Sequence, residues 1–128
     1  MKFLGIDYGS KNVGLAISDD EGAMAFPKDT LLNTSVLIDD ILKIIRKERV
    51  TTVVLGESKD FEGNDNPIMK RIIAFKKNLE ENNIPVHFES ELFSTQAASR
   101  GQEGLNKNDA SAATIILQSY LDKLKKEG

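Results

Sequence analysis

The sequence predicts an α/β fold built on a five-stranded mixed sheet, with three antiparallel strands, then two parallel strands reached through helical crossovers, and helices on both faces. Three observations predict it. Short apolar runs joined by polar turns open the chain, an apolar run without alternation lies in its middle, and amphipathic stretches with helical spacing lie between and after the strands. The 128 residues are expected to form one domain, residues 1–128.

The first three strands are predicted as an antiparallel meander. Residues 3–6 and 13–17 are apolar runs, and Gly9 to Asn12 between them suit a tight turn. Residues 23–26 can form a third strand, which Pro27 is expected to end or to place at an edge of the sheet.

The rest of the chain alternates predicted helices and strands. Residues 35–49 carry apolar side chains on one helical face, with Ser35 as the expected N-cap. Residues 51–56 are β-branched and apolar, so we expect a buried strand that runs parallel to the first one through a right-handed crossover. After these come a helix starting at Asn66 and Pro67, a strand over 85–89, a short helix up to Arg100 and a last helix over 109–126.

The composition excludes several classes of protein. Without cysteine there can be no disulfide, thiolate zinc site or cysteine nucleophile. No apolar run is long enough to span a membrane and no signal peptide is visible, so we expect a cytoplasmic protein that does not bind membranes. The net charge of −3 argues mildly against a large phosphate-binding surface but leaves a local basic patch open.

Four carboxylates are candidates for one functional site. Asp7 ends an apolar strand, where a charged group is costly unless something compensates it. Glu57 and Glu91 follow the two later strands, and Asp109 opens the last helix, so all four could meet at the carboxyl edge of the sheet. Hard oxygen ligands suit Mg²⁺ or Mn²⁺. The chemistry that such a site serves best is phosphodiester hydrolysis with two cations about 3.5–4 Å apart.

Each acid also has a plainer interpretation. Asp109 alone could be a helix-start residue, and Glu57 or Glu91 alone could be a loop carboxylate. Glu89 alternates with the apolar residues of its strand and is expected to face solvent, and His87 is expected to be structural. The metal-site interpretation therefore depends on the convergence of the four acids.

Two stretches of the chain resemble a known family. Residues 4–19, which read LGIDYGSKNVGLAISD, and residues 109–113, which read DASAA, resemble motifs of the YqgF family of Holliday junction resolvases in the RNase H-like superfamily. The resemblance covers the whole chain. It implies an RNase H-like fold, with cleavage of four-way DNA junctions or trimming of the 5′ end of precursor small-subunit ribosomal RNA. It also implies Asp7, Glu91 and Asp109 as the catalytic acids.

The chain departs from the pattern of that family near its second acid. The family usually has Asp-Glu-Arg where this chain has Ser90, Glu91 and Leu92, so a guanidinium that could bind phosphate bidentately is missing. After the strand predicted over residues 51–56, the Gly-Leu-Pro of the family is replaced by a segment that contains Glu57. We therefore hypothesise that Glu57 is an additional metal ligand or takes the role of Glu91.

Four basic residues are candidates for phosphate contacts, and Lys11 has the best case because it lies in the turn beside Asp7. The others are Lys59, Lys70 and Arg71. The expected partner is RNA or branched DNA, and the expected state is a monomer or weak homodimer.

Two alternative functions remain open at this point. The first is a nucleic-acid-binding protein of the same fold with weak or lost catalysis, which the missing arginine and the acidic net charge favour. The second comes from the turn after Asp7, because an Asp-x-Gly turn between two strands also resembles the phosphate-binding hairpin of actin-like and hexokinase-like ATPases. Those ATPases close two domains around the nucleotide.

Overall fold

The computed structural model of the protein describes residues 1–57, 68–90 and 109–127. The predicted start of the second helix at Asn66 and the predicted short helix that ends at Arg100 lie outside these residues. No helix in the described ranges is long and apolar enough to cross a membrane. The strands are β1 (Phe3–Tyr8), β2 (Asn12–Ser18), β3 (Ala25–Leu32), β4 (Thr52–Glu57) and β5 (Val86–Ser90), and the helices are α1 (Leu37–Glu48), α2 (Met69–Glu81) and α3 (Asp109–Glu127).

The five strands form one sheet in the order β3-β2-β1-β4-β5. β1 pairs antiparallel with β2, and β2 pairs antiparallel with β3. β4 runs parallel to β1, and β5 runs parallel to β4. This is the predicted mixed sheet, and β1 is its central strand.

The third strand is longer than the sequence predicts. Of the two expectations for Pro27, the edge position is confirmed and the strand end is not, because β3 is an edge strand that runs from Ala25 to Leu32. Pro27 is tolerated because β3 is an edge strand, where a residue without an N–H group costs less than in the interior of a sheet. The pairing with β2 also shifts between Leu15 and Ala16, and such a bulge accommodates the irregular edge.

The start of α1 also differs from the prediction. The helix begins at Leu37, and its N-cap residue, Val36, makes no side-chain capping hydrogen bond, so Ser35 is not the cap. Instead, the hydroxyl of Thr34 accepts a hydrogen bond from the backbone N–H of Val36 at 3.3 Å. The helix ends at Glu48, and its C-cap residue, Arg49, has a left-handed backbone conformation (φ 60°) that is typical of helix C-termini.

Hydrophobic side chains cover both faces of the sheet. Because successive residues of a strand point to opposite faces, Leu4 and Ile6 of β1 pack under α1 and α2, whereas Phe3 packs under α3. The core under α3 includes Val54 of β4 and Leu117 of the helix, both fully buried. Helices therefore lie on both faces of the sheet, as predicted.

The contact between β1 and α3 is unusually close at Gly5. A Cβ atom added to Gly5 would lie 2.7 Å from the Cβ of Leu117 and 3.0 Å from the carbonyl oxygen of Ala113. Only a residue without a side chain allows the helix to approach the strand to this distance. Gly5 therefore fixes how α3 lies on the centre of the sheet.

Candidate active site

Asp7 lies at the carboxyl end of the central strand. It pairs with Gly14 of β2 and is half-buried. Strand alternation places it on the same face as Gly5, which is the face that α3 covers. Asp7 is therefore directed to the side of the sheet on which the last helix lies.

The contacts along β1 and α3 run in opposite directions. The ring of Phe3 lies 6.0 Å from the ring of Tyr120, whereas Gly5 contacts Ala113 and Leu117. Two residues further along β1, at Asp7, the neighbouring part of α3 is thus its first turn. The helix begins at Asp109, for which only the backbone position is described.

This registry brings the predicted acids Asp7 and Asp109 to the same end of the molecule. It also explains the small residues that follow Asp109. Ala110 is buried and Ala113 is fully buried against the sheet, so the helix can begin close to β1.

Glu57 is the last residue of β4 and lies at the same edge as Asp7, on the neighbouring parallel strand. Alternation assigns it to the face of Val53 and Leu55, which pack under α1 and α2, while Asp7 faces α3. The two side chains thus leave the sheet on opposite faces. A cation that contacts both must lie beyond the ends of the strands and not on one face.

Two of the predicted site residues fall outside what the structure describes. They are Glu91, a predicted metal ligand, and Lys59, a predicted phosphate contact. Within residues 1–57, 68–90 and 109–127, no three histidine or acidic side chains form a group that could hold a metal ion. The donors at the edge are carboxylate oxygens, and the only histidine, His87, stacks on Tyr120 at 5.8 Å. This donor chemistry fits Mg²⁺ or Mn²⁺.

The turn beside Asp7 is held rigidly. A Cβ atom on Gly9 would lie 2.5 Å from the carbonyl oxygen of Asn12, so the turn requires glycine there. The side-chain amide of Asn33 donates a hydrogen bond to the carbonyl of Gly9, and its backbone N–H donates to the carbonyl of Lys11, both at 2.8 Å. The Lys11 side chain is exposed on this fixed turn, close to Asp7.

Two of the predicted phosphate contacts, Lys70 and Arg71, lie exposed in the first turn of α2. This turn contains no acid. Because the N-terminus of a helix carries a partial positive charge, two cations there are unfavourable for the helix, and its stability does not explain their presence. The guanidinium of Arg71 lies 5.8 Å from the ring centroid of Tyr8, the neighbour of Asp7 in β1. Arg71 thus lies near the same edge as Asp7, but under the opposite face of the sheet.

Sequence reasoning missed the burial of one acid. Glu89 was expected to face solvent, but it is only 4% exposed and forms an ion pair with Lys123 of α3 at 2.9 Å. The alternation of β5 was interpreted correctly, because Val86 and Phe88 pack on the other face. What β5 alone could not reveal is that α3 covers this second face.

A comparison with protein families identifies the chain. Residues 1–123 match the family model RuvX, which is described as a Holliday junction resolvase. The chain belongs to the RuvX family. RuvX is the family called YqgF above, so the resemblance inferred from the two motifs is confirmed, and with it membership in a family of nucleases.

Curated relatives of this RuvX chain carry a related name. A protein of Rickettsia akari named "Putative pre-16S rRNA nuclease" is 33% identical over 136 residues, covering 95% of this chain and 86% of that protein. A protein of Rickettsia felis with the same name is 33% identical over 134 residues, covering 96% of this chain and 87% of that protein.

Solved structures confirm the predicted RNase H-like fold. RuvC of Thermus thermophilus, in complex with a Holliday junction substrate, has a TM-score of 0.61 and 15% identity, covering 98% of the RuvX chain and 96% of RuvC. The fowlpox virus resolvase, in complex with Holliday junction DNA, has a TM-score of 0.59 and 19% identity. The match covers 97% of this chain and 99% of the resolvase chain.

Proposed function

We propose that the protein is a metal-dependent endonuclease that hydrolyses phosphodiester bonds in structured nucleic acid. Its substrate is the 5′ region of precursor small-subunit ribosomal RNA or a Holliday junction, and it acts in the cytoplasm as a single nuclease domain, monomeric or weakly dimeric. The observation that carries the proposal is Asp7 at the carboxyl end of the central strand, on the face covered by the helix that begins at Asp109. Membership in the RuvX family supports it.

In this proposal, Asp7, Asp109 and Glu91 would hold Mg²⁺ or Mn²⁺ beyond the ends of the strands, and Glu57, the last residue of β4, would be a further ligand. When bound there, a pair of such cations supplies activation of a water molecule and stabilisation of the leaving oxygen. The protein contributes rigidity, because Asp7 is fixed by its pairing with Gly14 and its neighbouring turn is fixed by Asn33.

The basic residues of the proposal offset the charge of the carboxylates. An acidic edge repels a polyanionic substrate, so binding requires positive groups around it. Lys11 extends from the turn beside Asp7, and Lys70 and Arg71 lie in the first turn of α2. Lys59 completes the proposed set of phosphate contacts.

A cleavage assay tests the proposal. The purified protein is incubated with a labelled four-way DNA junction and with a structured RNA that carries a 5′ extension, in Mg²⁺, in Mn²⁺ and in EDTA. We expect cleavage with either metal and none in EDTA, and the substrate that is cut decides between the two activities. Asp7→Asn should reduce the rate at least about 1,000-fold, because the removed charge is the central ligand. Asp29→Asn, at an exposed position of β3, is the matched control and should retain the rate.

The second acid is ranked by a pair of variants. If Glu57 is a ligand, Glu57→Gln should lower metal-dependent cleavage and raise the metal concentration needed for half-maximal rate. If Glu57→Gln cuts like the wild type while Glu91→Gln is inactive, Glu57 has no role at the metal site and Glu91 keeps the role that the family resemblance implies.

The alternative of a binding protein without catalysis keeps one specific observation in its favour. Ser90 and Leu92 replace the acid and the arginine that flank the corresponding glutamate in the family pattern. Binding of both substrates without cleavage in either metal would establish this alternative and contradict the nuclease proposal.

A further inference from the structure

A groove lies between α1 and α2, on the face of the sheet opposite to Asp7. Its volume is about 270 Å³, and Tyr8, at the end of β1, contributes to its wall. The remaining walls come from the loop before α1, the start of α1 and one side of α2. Its described polar lining residues are Tyr8, Asn33, Thr34, Ser35, Arg71 and Asn78.

The polar lining of this groove is suited to an anion. Among the described residues that line the groove, Arg71 is the charged one and none carries a carboxylate. The other polar side chains of the described lining are neutral hydrogen-bonding groups, namely two amides and three hydroxyls, one of which is the phenol of Tyr8. Arg71 forms no ion pair with an acid of the described ranges, and its guanidinium lies 5.8 Å from the ring centroid of Tyr8. The ring restrains this cation at the groove without neutralising it.

The position of the groove connects it with the candidate active site. Tyr8 and Asp7 are consecutive residues of β1, and their side chains leave the strand on opposite faces. Tyr8 packs against Phe75 of α2 with ring centroids 5.0 Å apart, so this wall of the groove is fixed. Asn33 lines the groove and also holds the turn beside Asp7. The groove and Asp7 thus lie on two sides of the same end of β1.

We propose that this groove binds a backbone phosphate of the nucleic-acid substrate. The nucleic-acid strand would run from Asp7 over the carboxyl edge of the sheet to the groove on the opposite face. Arg71 donates to two oxygens of one phosphate, and the neighbouring amide and hydroxyl groups donate to the same or the next phosphate. The site rests on the proposed function, since it orients a strand whose scissile bond lies at Asp7. It reads no base, so DNA and RNA present the same chemistry to it.

Three variants that each lower the net charge by one test this proposal. Arg71→Met removes the cation of the groove, and Asn78→Asp places a carboxylate in the groove at nearly constant volume. Lys77→Met removes a cation from an exposed position of the same helix that does not line the groove. Because all three change the total charge equally, a general electrostatic effect weakens binding equally in all of them.

Binding is measured by fluorescence anisotropy in EDTA, with a labelled four-way DNA junction and a labelled structured RNA, at several salt concentrations. We expect Arg71→Met and Asn78→Asp to weaken binding about 5- to 20-fold and Lys77→Met less than 2-fold. The slope of log affinity against log salt should fall by about one for Arg71→Met. Because the groove contacts only phosphate, each probe that the wild type binds should show this difference between the variants.

Other outcomes overturn the proposal in distinguishable ways. If the three variants have the same affinity as one another for both probes, the groove is not a phosphate site. The proposed nuclease function is not affected by that result. If the wild type binds neither probe, the proposed function fails together with the groove. Thermal unfolding of each variant checks the fold, and Asn78→Asp carries the test if Arg71→Met is unfolded, since Asn78 is exposed.

Discussion

Gly5 is the residue on which the distance between the central strand and the last helix depends. Its missing side chain lets the backbone of α3 approach β1, and this approach brings the start of the helix towards Asp7. In the sequence, Gly5 stands out only as part of the motif over residues 4–19. The structure gives the physical reason, which is the 2.7 Å separation between its virtual Cβ atom and the Cβ of Leu117.

We expect Gly5→Ala to lower the free energy of unfolding by about 1–3 kcal/mol, because the added methyl group must push α3 away from the sheet. Neither Leu117 Cβ nor the carbonyl of Ala113 can move without moving the helix backbone. Urea denaturation followed by circular dichroism measures the change. A variant within about 0.5 kcal/mol of the wild type would show that the contact is not as close as described.

The ion pair between Glu89 and Lys123 is the second residue-scale test. Glu89 is 4% exposed, and the side chain of Lys123 is 62% exposed, so the pair is neither fully buried nor freely solvated. Lys123→Met leaves a buried carboxylate without this partner, and we expect a loss of about 1–3 kcal/mol in unfolding free energy, between the values for exposed and buried pairs. Lys126→Met, at an exposed position of the same helix, should change it by less than about 0.5 kcal/mol. Equal effects of the two substitutions would contradict the role of the pair.

At the scale of elements, sequence patterns predicted which strand is buried. They did not predict where an element begins or ends when that depends on its neighbours in the fold. The unalternating run of β4 predicted a strand covered on both faces, and its residues 53–55 are fully buried. The end of β3 could not be predicted from Pro27, because only the place of β3 at the edge makes proline acceptable. Likewise, Ser35 suited a cap by residue type, but Thr34 takes the hydrogen bond.

The end of α1 is linked to two strands by one carboxylate. Glu48 accepts a hydrogen bond from Lys28 of β3 at 2.9 Å and contacts Lys2, before β1, at 3.5 Å. The hydrogen bond and charge of Lys28, with a smaller effect of Lys2, hold the pKa of Glu48 below its usual value of 4.5. Because the folded-state pKa is the lower one, this contribution to stability is present above about pH 4.5 and is lost as the pH falls through the folded-state pKa.

We therefore expect Glu48→Gln to make the decline in stability shallower than in the wild type as the pH falls below about 4.5. Asp19, whose pKa is lowered chiefly by a hydrogen bond from the backbone N–H of Ala23, gives a residual decline with the same sign in both proteins. The measurement is the urea midpoint as a function of pH. Superimposable pH profiles for the two proteins would contradict a role for Glu48 in this decline.

For the whole molecule, the mixed five-stranded sheet and the family followed from the sequence, whereas the geometry of the site followed only in part. Asp7 was identified because a carboxylate at the end of an apolar strand is unusual, and the small residues after Asp109 indicated a helix close to the sheet. The opposite faces of Asp7 and Glu57 could not be inferred without the register between β1 and β4. The groove at Arg71 requires the packing of two helices that are distant in sequence.

The central claim is that Asp7 and Asp109 hold a divalent cation at the carboxyl end of β1. Anomalous diffraction from a crystal soaked in Mn²⁺ tests it most directly, because the metal is located without reference to activity. We predict an anomalous peak within coordination distance of Asp7 and Asp109, with Glu57 or Glu91 completing the site, and no such peak in Asp7→Asn. Manganese bound elsewhere, with none at Asp7 in the wild type, would contradict the account.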